Sequence, residues 1–186
     1  MAIISERTFW LTISALPFNF FFTISYYFLV VYVKTGLGAG PFIYGAILAA
    51  YSIGFAIGSP LVSRSKWALK YAGKEWVLIY GGSIGTSLLI MGIFLNLFLA
   101  VLLLLIVGLV AGFAGNVRLT SAQNIVPERM RGRYFAVDGL LSFIGGPSAV
   151  AVGGVLVLVF GIIPVFELSG LIILLFVLIF SLFGSL

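Results

Sequence analysis

Arg118 stands in the stretch GNVRLTSAQ, inside a long apolar run, and its guanidinium keeps its charge there. An ionisable group in such a run is costly and ordinarily faces a bundle interior or a water-filled cavity. Its type supports two readings: an anion-binding or gating group in a cavity, or an arginine that snorkels inward or pairs with Asp138 in the next run. Asp138 and Glu167 are the acids of the later runs. Each is a candidate proton carrier; an arginine partner or interfacial exposure is the alternative. Asn116, Thr120 and Gln123 follow i, i+4, i+7 spacing and share one helix face. Arg118, two residues from Asn116, points about 200° away from it. An earlier run carries Thr12, Asn19, Thr23 and Tyr26 near one face, with Tyr27 beside it. Those groups either wet a pathway or hydrogen-bond to neighbouring helices.

Other chemistry lacks its residues. There is no cysteine and no histidine, so thiolate ligands and the commonest general base are missing. No paired-carboxylate site, nucleophile set, phosphate-binding loop or metal-ligand spacing is visible. The expectation is a protein that is not an enzyme, with no cofactor and no metal.

Positioning these side chains requires helices in lipid. With 62% hydrophobic and 8% charged residues and a mean hydropathy of +1.28, the chain cannot cover its apolar surface in water. The predicted fold is all-α, with six membrane-spanning helices in one domain over about 8–33, 42–62, 76–95, 97–126, 134–160 and 163–183. The runs are continuous rather than alternating, which excludes barrel strands. The first is too long for a signal peptide's apolar core, so it counts as a true span. KTGLGAGP, Asn96 and GIIP with Pro164 mark tight turns, while SRSKWALKYAGKE and PERMRGR are basic loops.

Those loops set the orientation. With the N-terminus inside, Arg7, Arg64, Lys66, Lys70, Lys74, Arg129, Arg131 and Arg133 lie on the cytoplasmic side and Lys34 alone on the other. Eight basic residues against one predict two cytoplasmic termini. The formal net charge of +5 thus belongs to topology rather than to a nucleic-acid surface. Lys66, Lys70 and Lys74 recur every four residues beside Trp67 and Tyr71, either as a short helix along the inner leaflet or as a solvated loop. Pro17 is placed to kink the first span. The glycines of the second, fourth and fifth spans suit close helix packing.

Two islands carry a family resemblance. GSPLVSR, from Gly58 to Arg64, resembles a loop motif of the major facilitator superfamily, with Ser63 where that motif has aspartate. AQNIVPERMRGRYFAV is similar to the loop after the fourth or tenth helix of such transporters, where Val-Pro precedes an Arg-Gly-Arg turn. YVKTGLGAGPFIYGAILAAYSIGFAIGS resembles the start of the C-terminal half in siderophore- and drug-exporter-like members.

The resemblance implies a six-helix half-bundle of a transporter, multi-pass in the plasma membrane, that moves a small solute, with efflux the expected direction. It implies that Arg64, Arg131 and Arg133 act in the cytoplasmic gate, with Glu128 and Asp138 as ionic partners. It also makes Asn19, Thr23, Tyr26, Asn116 and Arg118 candidates to line the cavity. A complete transporter encloses its substrate between two halves. The expected partners are therefore the lipid bilayer, a small-molecule solute, and a second copy or a separate half. A non-transporting protein that binds or regulates a partner, or a transporter remnant, is the competing reading.

Overall fold

A backbone in lipid has no water to bond with, so continuous runs of Leu, Ile, Val and Phe must satisfy their amides within helices. The computed structural model describes residues 6–61 and 74–183, and side chains within them except at 6–15, 74, 141–144 and 183. These residues form α1 (Glu6–Tyr27), α2 (Leu29–Val31), α3 (Pro41–Gly58), α4 (Lys74–Ile93), α5 (Leu97–Ile125), α6 (Glu128–Phe160) and α7 (Ile162–Phe183). A π-helical turn, Tyr32–Gly36, extends α2, and a 3₁₀ turn, Ser59–Leu61, extends α3. Five helices are long and apolar enough to cross a membrane, or six when the bent pair at the start counts as one span. The fold is an all-α membrane half-bundle, with no strand among the described residues.

The helices pair as α3 with α5, α4 with α7, and α1 with α6; α4 against α5 joins the first two pairs. Lipid tails are as apolar as leucine, so close packing rather than water exclusion must hold such pairs. Along α3 and α5 the sequence achieves this with glycine on both sides. A Cβ on Gly54 or Gly58 would strike the carbonyl oxygens of Leu105 and Leu109; one on Gly108 or Gly112 would strike those of Tyr51 and Phe55. Elsewhere the core is aromatic. Phe18 is fully buried, with its ring centroid 5.4 Å from Phe176, 6.0 Å from Tyr80 and 6.3 Å from Trp76.

Three details differ from the sequence expectation. The first span is not one unbroken helix over 8–33. The helix continues through Pro17, and a 42° bend lies at Phe28, whose φ of −91° and ψ of 10° interrupt the ladder. The far piece is held to other helices: the Tyr32 hydroxyl donates to Met91 O at 2.8 Å, and its ring stacks on Phe166 at 4.7 Å.

The stretch PERMRGR is not a loop. Val126 and Pro127 alone make the corner, and α6 begins at Glu128 rather than Tyr134. Proline fixes the φ of the N-cap residue, and Glu128 complements the positive helix end. At 33 residues α6 is about 50 Å long, which exceeds the hydrocarbon core of about 30 Å, so its charged first turns need not enter lipid.

The last corner is Gly161, not Pro164. Its φ of +82° is a conformation that suits glycine, and Pro164 sits within the first turn of α7, where no backbone donor is required. Asn96, expected as a break, caps α5 by accepting the Leu99 amide at 3.1 Å.

Candidate polar site between α1, α4, α5 and α6

On α5, Arg118 faces α6. It donates from Nη1 to Asp138 Oδ1 at 2.6 Å and from Nη2 to Oδ2 at 3.2 Å, the two-pronged geometry that matches guanidinium to carboxylate. The side chains are 24% and 14% exposed, so the pair is largely sheltered yet reachable. Neutralising each other removes most of the cost of holding either charge at this depth. The pairing foreseen as one alternative for Arg118 is the arrangement observed.

The neighbouring helices bring neutral polar groups. Tyr80 of α4 donates from its hydroxyl to Asn19 Oδ1 of α1 at 3.3 Å, and it lies within electrostatic reach of Arg118. One turn earlier Trp76 is buried, and its indole N–H donates to Ala114 O of α5 at 2.8 Å. Two polar pairs result: Asn19 and Tyr80 join α1 to α4, and Arg118 and Asp138 join α5 to α6. Ser121, three residues beyond Arg118, is 5% exposed, and its hydroxyl finds no hydrogen-bond partner among the described residues.

The other candidates lie apart from this group. Asn116 turns to α3, where its amide donates to Ser59 O at 3.3 Å and to Gly112 O of its own helix at 3.0 Å. The separation of Asn116 from Arg118 follows from their two-residue spacing. Tyr26 packs its ring 5.5 Å from Tyr51 and 5.7 Å from Phe22, and Thr23 beside it is half-buried. A small cavity of about 10 Å³ lies near Tyr26, bounded also by Ser25, Ser87, Leu29 and Phe166. That is about the size of one water, and its walls are almost wholly apolar. Glu167 on α7 is half-buried, its Cγ lying where a side chain on Gly92 would go.

At the corner between α5 and α6, Arg131 donates from Nε to Val126 O at 3.1 Å and lies 3.6 Å from Glu128 Oε1. It therefore closes the last turn of α5, where a cation is favoured by the helix dipole. Glu128, Arg129 and Arg133 are exposed. Arg64, Ser63 and the Lys66–Lys70 ridge lie outside the described residues, and Lys74 begins α4. Thr12 is on α1, and its side chain is not among those described. No three His, Cys, Asp or Glu residues gather as a metal site among the described residues.

Sequence reasoning missed Tyr80 and Trp76. The signal was available: two amphipathic rings at i, i+4 spacing within one apolar span each carry a polar atom that needs a partner.

Compared with known proteins, the chain matches the family model of the Major Facilitator Superfamily over residues 11–185. No curated protein and no solved structure matches it.

Proposed function

The chain belongs to the Major Facilitator Superfamily, and from that membership we propose that it is a half-unit of a secondary transporter, moving a small solute by alternating access once paired with a second six-helix unit. It is an integral multi-pass membrane protein of a transporter family. In this reading it resides in the plasma membrane with both termini cytoplasmic, as the basic residues favour, and carries its solute outward. The second unit is another copy of the chain or a separate half.

The observation that carries the reading is uneven cover of the helices. Half of the most apolar window of α4 is buried, 50%, against 22% for α3 and 12% for α6. The sparsely covered α6 turns its acid, Asp138, to Arg118 of α5. Gly139, Gly145 and Gly146 of α6 have open space where a Cβ would stand, so another helix can approach closely. Asn19, Thr23, Tyr26, Asn116 and Arg118 are the residues assigned to the solute path. Arg131 and Glu128 are assigned to the corner that moves with the gate, together with Arg64 and Arg133. Asp138 and Glu167 are the assigned proton carriers.

Counterflow of a panel of radiolabelled solutes into proteoliposomes tests this. Flux above empty liposomes is expected, with loss of at least tenfold in Arg118→Ala while the assembled complex survives gentle extraction. An intact complex that moves nothing would support the second reading, a membrane protein that binds or regulates a partner. Ser63, where the family's loop motif has aspartate, favours that alternative.

A further inference from the structure

The first turns of α6 hold more positive charge than their surroundings balance. Glu128 lies 3.6 Å from Arg131, which also donates to Val126 O. Arg129 and Arg133 are exposed, and neither has an ion-pair or hydrogen-bond partner among the described residues. As they stand, the two are poorly placed. Like charges at i, i+4 repel, and cations in the first turns of a helix oppose its dipole. An anion bonded to both guanidiniums reverses both costs.

The rest of that face says which anion. At about 100° per residue, Arg129, Arg133, Ala136, Val137 and Leu140 fall in one sector about 100° wide, and all five are exposed. Asp138 and Arg131, the residues turned to α5, lie on the opposite side of the helix. Near the far end of α6, Val155 and Leu158 return to the exposed sector. The two arginines therefore stand above an apolar stripe on a helix long enough to cross a membrane. Val137 lies about 6 Å and Leu140 about 10 Å along the axis from Arg133. That is the order of parts in a phospholipid, with phosphate first and acyl chain beneath it. A free phosphate would use the basic end alone.

We propose that this outward stripe of α6 is a binding site for an anionic glycerophospholipid. Its phosphate is bridged by Arg129 and Arg133, and an acyl chain lies on Val137 and Leu140. Guanidinium suits the phosphate because it can offer two parallel N–H donors. The inference goes beyond the transport reading and does not depend on it, since it needs only that α6 lies in a bilayer. Nor does it compete with a second unit packed on the α6 glycines. Gly139 and Gly146 lie about 90° round the helix from Arg129, so a helix seated there leaves the stripe to lipid.

Native mass spectrometry of the full chain in detergent, titrated with dioleoylphosphatidylglycerol or dioleoylphosphatidylcholine, tests this. One phosphatidylglycerol should stay bound in preference to phosphatidylcholine. Arg129→Gln and Arg133→Gln should each weaken its binding about fivefold, and the double variant about thirtyfold. Lys34→Gln, which removes one exposed charge elsewhere, should leave it unchanged. Val137→Asn combined with Leu140→Asn keeps both arginines and should also weaken retention. Both arginines are exposed, so the lipid-free double variant should melt as the wild type does, which separates lost binding from lost folding. Equal retention of the two lipids would overturn the proposal. So would undiminished binding by the double arginine variant, or an equal loss in Lys34→Gln. Displacement of the lipid by inorganic phosphate at constant ionic strength would overturn it in favour of a free anion. Lipid bound to lone chains but absent from an assembled pair would overturn it in favour of a contact between units.

Discussion

A single pair of side chains, Arg118 and Asp138, concentrates the chemistry of this molecule. Its two halves are not equivalent under mutation. Arg118→Gln leaves a carboxyl that can neutralise itself by binding a proton, whereas Asp138→Asn leaves a cation that cannot. Asp138→Asn should therefore destabilise more, about 3 kcal/mol when a largely sheltered pair loses one partner, and Arg118→Gln less. The double variant should recover most of the loss. Melting of the three variants in one detergent measures this; equal costs for the two single changes would sink the argument. The pairing was legible in sequence as an alternative, because two opposite charges stood in consecutive apolar runs. The Tyr80–Asn19 bond was not, because its donor and acceptor are 61 residues apart and only packing joins them.

At the scale of the elements, α3 and α5 illustrate how a sequence without water's help holds helices together. Gly54 and Gly58 face carbonyl oxygens of α5, and Gly108 and Gly112 face those of α3, so both backbones lie in contact. Gly108→Ala should push the pair apart and cost about 1–3 kcal/mol, as overpacking does. Gly139→Ala on α6, where nothing lies within 4 Å, should cost the isolated unit little. Thermal stability of the two variants side by side checks this, and equal losses would contradict it. The glycines were legible as packing sites, but which helix each one met was not. The apolar runs themselves located the helices, whereas their ends depended on local chemistry. Glu128 and Pro127 start α6 six residues before the apolar run, because charge at a helix end needs only to clear the lipid. The bend at Phe28 escaped the sequence reading, because the piece beyond it packs on Met91 and Phe166, far along the chain on other helices.

For the whole molecule, the all-α half-bundle and its family were legible because hydropathy and two short islands sufficed. A second unit was expected from the resemblance alone, since a helix face that would meet another protein and one that meets lipid are both apolar. In the reading proposed above, α3 and α6 are sparsely covered because another six-helix unit belongs against them. Native mass spectrometry of the complex, gently extracted from its own membrane, tests this most directly. The predicted result is a species of two chains, about 40 kDa from two copies of 20.0 kDa, or this chain with one other membrane half. A lone chain of 20.0 kDa under conditions that preserve known membrane complexes would contradict it.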